Sequence, residues 1–448
     1  MTALYYTLGV LIFAIAIMAS IGLHEFGHLI PAKKFGGKVT QWFIGFGPTV
    51  WSKRFGETEY GVKGIPLGGY VKIVGMLPPG RGRSAIDLDE HGNPVERVRG
   101  SSTGLFTQLV SDAREAEWEH IGPEDSGRLF YKLPWWKKVI VMAGGPTVNI
   151  AIAFAIFAPL FATYGNPNDA RPVPEVSYVA PCVVPVAEAG RECTPEDPVT
   201  PAYEAGLREG DRIVFFNGTE IGQDWQLLQD AIRANDDGAA VIGILRDGRE
   251  QTIRTTTTVA LRPASLEDEA LVQVGFLGVS PEFVIGSGGL GYTLGQMGGM
   301  TVDTVKALRD LPVKVWGVAR AIVGLEERDP TGPVSLVGGG RLAGEAVSHE
   351  GFPVVEKVVF LLMLIAGFNF FIGMFNFVPL LPLDGGHIAG ALYEGLKRGA
   401  ARMLGRPDPG HVDVAKLLPV AYVVGVTMLL MGVVLIIGDL VVPLSLTG

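Results

Sequence analysis

The 448-residue sequence predicts a multi-pass α-helical membrane protein with a solvated, exported domain between its second and third spans. Three observations carry that expectation. The chain is 48% apolar and only 19% charged, with a mean hydropathy of +0.32. Four stretches, 3–23, 139–164, 358–383 and 417–438, hold no charged side chain, and each exceeds the ~20 residues that take a helix across ~30 Å of hydrocarbon. The segment 166–350 instead carries 27 acidic against 15 basic residues, the balance of a water-facing region. A net charge of −9 and a pI near 5.4 exclude the basic footprint of a nucleic-acid binder, so no DNA or RNA partner is expected. The 61 glycines follow no strict period and are read as close helix packing in lipid and turns outside it.

The first span, 1–30, has no Lys or Arg ahead of it and no small-residue cleavage site, so it reads as a retained helix and not a removable signal peptide. Lys33, Lys34 and Lys38 follow it, and Lys132, Lys137 and Lys138 precede the second span, 134–165. By the basic-residue rule that side is cytoplasmic. Lys397, Arg398, Arg402 and Arg406 after the third span, 352–387, agree, which makes 388–414 a cytoplasmic loop before the fourth span, 415–440. Both termini and the region 166–350 then lie outside the cell membrane. The stretch 80–133 is charged, opens near Pro78-Pro79-Gly80-Arg81-Gly82-Arg83, and reads as a partly disordered cytoplasmic insertion without recognisable chemistry.

Both cysteines, Cys182 and Cys193, fall in the exported region, where a disulfide is expected. Two unrelated thiols remain the alternative, since spacing alone does not bring the Cα atoms within the ~4.4–6.8 Å a bridge needs. From 171 to 262 apolar runs alternate with turns, and Asn217-Gly218 and Asp247-Gly248 mark tight hairpins. The run from Ala205-Gly206-Leu207 through Gly210-Asp211 to Ile213 resembles the helix-to-strand link of a bacterial protease PDZ domain, an α+β module that captures extended chains at a sheet edge. A purely structural role is the alternative. Within 263–350, residues 284–302 are uncharged but too Gly-rich for a stable span, and Thr301 to Val323 has the spacing of an amphipathic helix on the outer membrane surface.

The chemistry concentrates at the end of the first span. His24-Glu25-Phe26-Gly27-His28 sets two imidazoles at i and i+4 on one helix face, where both can bind one Zn²⁺ while Glu25 reaches its water. The bland alternative is an interfacial snorkelling pair. A catalytic zinc normally has three protein ligands. The histidines at 91, 120, 349, 387 and 411 lie outside the four uncharged stretches, and the better third ligand is Asp384, at the end of the third apolar stretch. If the first and third spans both run inward, Asp384 lies level with His24 and His28. A helix-end turn residue before Gly385-Gly386 is the competing reading of Asp384.

His24-Glu25-Phe26-Gly27-His28, Gly145-Pro146 with Asn149, and Asn376, Pro379, Leu383-Asp384-Gly385 together resemble the bacterial site-2 proteases, intramembrane zinc metallopeptidases of family M50 with a single PDZ domain. The likeness extends to Gly45-Phe46-Gly47-Pro48 and 61–72, which look like that family's membrane-associated β-hairpin loop within 31–79, and to Gly332-Pro333. It implies that His24, His28 and Asp384 hold one zinc, that Glu25 is general base and then acid, that Asn376 holds substrate or its developing oxyanion, and that Pro379 is a further substrate-binding residue. Asn149 is a weaker substrate-binding candidate, for which a plain interhelical hydrogen bond serves as well. The second proline sits at 382, one position later than the family's Pro-x-Pro, which bears on backbone shape and not on zinc binding.

The resemblance further implies single-span membrane substrates such as anti-sigma factors, first cut outside by a site-1 protease, or remnant signal peptides. Strands within 40–75 offer an edge on which an unwound substrate can pair. Two rivals stay open at this point: a zinc hydrolase of lipids or small amides, and a non-catalytic PDZ-bearing scaffold with a structural zinc, against which the presence of Glu25 argues.

Overall fold

The computed structural model describes residues 2–78, 84–88, 94–98, 110, 113–114, 121–122, 125–188, 191–263 and 270–446. They form two compact units, Met1–Leu160 with Gly289–Gly448, and Phe161–Gly288. Among the described residues, four helices are long and apolar enough to cross a membrane: Thr2–Lys34, Trp135–Thr163, Val354–Asn376 and Val414–Val441.

In the first unit, α1 (Thr2–Lys34) ends with Lys33 and Lys34 in its last turn, favourable charges for the negative end of a helix dipole. Gly36, at φ +84, turns the chain out, a conformation glycine adopts without penalty. Two long strands follow, β1 (Val39–Phe55) and β2 (Thr58–Ile73). Each bends back on itself. Residues 41–44 pair with 59–62 on one side and 69–72 on the other, while 51–54 pair with the outer side of 59–62. The outcome is a small sheet of four runs whose edge is 69–73, not a simple two-stranded hairpin. Gly45 and Gly47, at φ +89 and +81, make the bend in β1, which accounts for the Gly45-Phe46-Gly47-Pro48 motif. Most of the 80–133 insertion, including Gly80 to Arg83, lies outside the described residues; within it β3 (Ser84–Leu88) pairs with β4 (Pro94–Val98). The second apolar helix, α2 (Trp135–Thr163), contains Pro146 and Pro159. It approaches α1 so closely that a Cβ on Gly144 would land on the carbonyl oxygen of Gly27.

The second unit is built on a sheet in the order β12-β5-β6-β8-β9, with β7 on β6 and a separate β10–β11 pair. Its strands are β5 (Asn166–Val179), β6 (Arg212–Phe216), β7 (Thr219–Glu220), β8 (Ala239–Arg246), β9 (Arg249–Thr256), β10 (Thr258–Pro263), β11 (Leu271–Phe276) and β12 (Val279–Gly286). Asn217 and Gly218, at φ 45 and 91, and Asp247 and Gly248, at φ 50 and 74, form the two expected hairpin turns. Two helices, α3 (Pro201–Glu204) and α4 (Trp225–Arg233), complete the unit. Its core gathers Val176, Leu207, Ile213, Phe216, Leu228 and Ile244. Cys182 and Cys193 form a disulfide, with Cα atoms 6.0 Å apart. The compact unit is wider than 171–262, because β5 begins at Asn166 and β12 closes the sheet from beyond 262.

Three segments of the first unit differ from the sequence reading. The helix expected at Thr301–Val323 is α5 (Leu290–Ile322) and starts in the Gly-rich stretch. Next comes α6 (Leu336–Ser348), capped by the Ser335 hydroxyl, which accepts from the Val337 and Gly338 amides. Gly338, Gly339, Gly340, Ala343 and Gly344 of this helix are buried, and the absence of side chains at Gly339 and Gly340 lets it lie against Phe13 of α1 and Phe368 of α7 (Val354–Asn376). Finally, the third span stops at Asn376. Pro379 and Pro382 cannot continue a helix, and Asp384 opens a new one, α8 (Asp384–Met403), where a cytoplasmic loop was expected. Asp384 is thus the first residue of a helix instead of the last of one. The final helix is α9 (Leu418–Val441).

A buried polar cluster anchors α8. Lys138 at the start of α2 bonds Glu394 of α8 at 2.8 Å, and Glu394 also accepts from the Val412 amide at 3.1 Å and meets His411 at 3.3 Å. Burial raises the Glu394 carboxyl, but the bonds from His411, Lys138 and Val412 outweigh it and hold it at about 2.

Candidate metal centre

His24 and His28 lie one turn apart on α1, and the loop after α7 brings Asp384 to them. The His24 and His28 Nε2 atoms are 3.3 Å apart, and Asp384 Oδ2 is 3.3 Å from each. Three donors at the corners of an equilateral triangle match one face of a tetrahedron around zinc, whose edges are about 3.3–3.4 Å for bonds of ~2.0–2.1 Å. Two imidazoles and a carboxylate are also a donor set catalytic zinc uses. Among the described residues, these three alone form a group of His, Cys, Asp or Glu close enough to share an ion.

The outer nitrogens of both rings are held. His28 Nδ1 is 2.8 Å from the Val141 carbonyl, which only accepts, so Nδ1 carries the proton and Nε2 turns its lone pair to the triangle. His24 Nδ1 is 2.5 Å from Asn149 Oδ1. Asn149, fully buried, is therefore joined to a ring as well as bridging helices. Gly145 explains its motif sterically: a Cβ there would stand 2.6 Å from His24 Nε2 and closer still to His28 Nε2. Side chains at this point of α2 compete with the ion for space.

His24, His28, Asn149 and Asp384 line a cavity of about 440 Å³. Glu25 faces into it, and Gly69, Tyr70 and Val71 of β2 line the same cavity. Gly69 sits against the Glu25 side chain, with room for no Cβ: one would meet Ile21 Cγ2 at 2.9 Å and Glu25 Cγ at 3.1 Å. The edge run of β2 is thus set beside Glu25. Asn376 lines the cavity and donates to the Ile372 carbonyl at 3.1 Å. Pro379 is exposed in the loop, and Pro382 is the proline that reaches the cavity. His387, set aside in the sequence because it lies beyond the uncharged stretch 358–383, also lines the cavity, one turn along α8 from Asp384. The i, i+3 spacing from Asp384 was its signal. Asn369, whose amide meets Asn149, had none.

Two imidazoles and a carboxylate close enough to share one ion, with Glu25 beside them in a bundle of apolar helices, form the donor arrangement of a membrane metallohydrolase. The chain belongs to peptidase family M50, the site-2 protease family: residues 12–403 match it. It is 32% identical to the zinc metalloprotease Rip1 of Mycobacterium tuberculosis, over 98% of this chain and 99% of that one. It is 34% identical to Rip1 of Mycolicibacterium smegmatis over the same shares. The regulator of sigma-W protease RasP of Bacillus subtilis is 24% identical over 87% of this chain and 90% of its own. The protein is a zinc metalloprotease of the membrane, and the scaffold reading falls.

Proposed function

We propose that this protease hydrolyses peptide bonds within or near the membrane-spanning segment of single-span proteins, after another protease has removed most of the substrate's outer domain. The observation that carries the reading is the 3.3 Å triangle of His24, His28 and Asp384 beside Glu25 and a strand edge. His24, His28 and Asp384 hold the zinc. Zinc, when bound, supplies Lewis acidity, polarising the scissile carbonyl and making water acidic enough to attack near pH 7. Glu25 takes the attacking water's proton and delivers it to the leaving amine. Asn376 has an amide hydrogen left to donate to the carbonyl oxygen as charge develops there. A helical substrate hides its peptide bonds, and pairing along 69–73 of β2 presents an unwound segment to Glu25. Asn149 serves the site through His24, and Pro379 shapes the loop that delivers Asp384.

The second unit, Phe161–Gly288, acts as an extracytoplasmic PDZ-like filter that binds or refuses untrimmed substrates. Both termini lie on its side of the membrane, and the zinc site lies toward the cytoplasm. The name of the Bacillus relative, a regulator of sigma-W, supports an anti-sigma-factor type of substrate over remnant signal peptides. The test is cleavage of tagged, pre-trimmed single-span substrates by the purified protein in detergent, wild type against Glu25→Gln, with zinc measured in both. Cleavage inside the span by wild type alone, with zinc retained in the variant, is the expected outcome. Zinc in both with no peptide cleaved would move the site to another amide or ester substrate.

A further inference from the structure

We infer that Asn369 is a positioning residue that selects, through Asn149, the ring tautomer with which His24 meets the metal. The inference rests on His24 being a ligand, as proposed above, and adds a residue that touches neither metal nor substrate.

The argument is one of hydrogen-bond polarity. Asn369 Nδ2 is 2.9 Å from the carbonyl oxygen of Ile365, one turn back on α7. A backbone carbonyl cannot donate, so the NH₂ end of the Asn369 amide must face it, and the oxygen end must face away. That oxygen is 3.0 Å from Asn149 Nδ2 on α2, which orients the second amide in turn: its NH₂ faces Asn369 and its oxygen faces His24. Asn149 Oδ1 accepts from His24 Nδ1 at 2.5 Å. His24 Nδ1 must then carry the proton, leaving Nε2 with a lone pair, and Nε2 is the atom at the corner of the ligand triangle. The direction of every bond follows from one acceptor that cannot reverse. Asn369 and Asn149 are 0% and 1% exposed, so no solvent competes to supply the opposite polarity, and a satisfied buried network of this kind holds one arrangement. His28 needs no relay, because its Nδ1 meets the Val141 carbonyl directly. The two rings thus receive the same instruction, one from a backbone oxygen and one through two side-chain amides.

Without Asn369, the Asn149 amide is free to turn its NH₂ to His24 Nδ1, which favours the tautomer protonated at Nε2 and closes that corner to the metal. The experiment is a double-mutant cycle on the full chain in detergent, with zinc affinity read by competition with a chelator and not by activity. Asn369→Leu, of similar size and without polarity, is expected to weaken zinc binding by about 10–100-fold, the usual effect of removing an outer partner of a ligand. Asn149→Leu is expected to do the same, and the double variant no more than Asn149→Leu alone, since one acts through the other. Asn369→Thr, whose hydroxyl can donate to the Ile365 carbonyl and accept from Asn149, is expected to recover most of the loss. In ¹⁵N-histidine spectra of the metal-free protein, His24 should read as Nδ1-protonated in wild type and the Thr variant and shift toward Nε2-protonated in Asn369→Leu. Unchanged affinity and spectrum in Asn369→Leu, or losses that add in the double variant, would overturn the inference. If zinc survives His24→Ala undiminished, the ligand assignment itself fails, a result separate from either of these.

Discussion

Replacing Gly145 by alanine tests the centre by a single methyl group. The added carbon would stand 2.6 Å from His24 Nε2 and nearer to His28 Nε2, where ordinary contact begins at 3.4 Å. The overlap at His24 is therefore about 0.8 Å, and it falls on the two nitrogens that a zinc ion must approach to ~2.0–2.1 Å. A methyl and an ion cannot share that space, and relief requires one imidazole to swing out of the triangle. Loss of an outer partner costs metal affinity 10–100-fold, so loss of a ligand should exceed ~100-fold. The assay is chelator competition together with metal content by mass spectrometry on detergent-purified protein. Gly144→Ala is the control. Its Cβ would strike the Gly27 carbonyl, so it should lower the thermal stability of the α1–α2 pair, whereas Gly145→Ala should leave stability nearly intact and empty the site. A Gly145→Ala protein holding one zinc with wild-type affinity would refute the reasoning, since it would put the metal elsewhere.

Three further outcomes are expected. Gly69→Ala crowds Ile21 and the Glu25 side chain without touching the ligands, and should lower kcat about tenfold with zinc affinity unchanged; equal losses in both would remove the separation drawn between base and ligands. Replacing Cys182 and Cys193 by serine opens a loop with a sequence separation of 11 and should destabilise the second unit by about 3 kcal/mol on the chain-entropy estimate, seen as earlier proteolysis of that unit while zinc binding stays constant. Glu394, on the non-spanning helix α8, is held at about 2 against its ordinary 4.5; a depressed carboxyl adds stability that is complete above about 4.5 and lost as pH falls toward about 2. The melting temperature of wild type should drop through that acid window, and Glu394→Gln, already lower at pH 7 because Lys138 loses its buried partner, should drop less.

Four apolar helices of spanning length, the pairing of His24 and His28 around Glu25 and the two hairpin turns were legible in the sequence alone. Each depends on periodicity or spacing within one segment: uncharged length for the spans, i and i+4 for His24 and His28, Asn-Gly and Asp-Gly for the turns. Only the tertiary structure decided that Asp384 begins a helix, that β1 and β2 each fold back to form an edge at Glu25, and that 336–348 is a helix buried by its glycines. The same holds for the partners of Asn149 and Asn369 and for the clearance at Gly145. His24 meets Asn149 across 125 residues, and Asn149 meets Asn369 across 220. A buried amide's partner and a glycine's clearance are properties of the surface that packs against it, and that surface comes from a distant part of the chain.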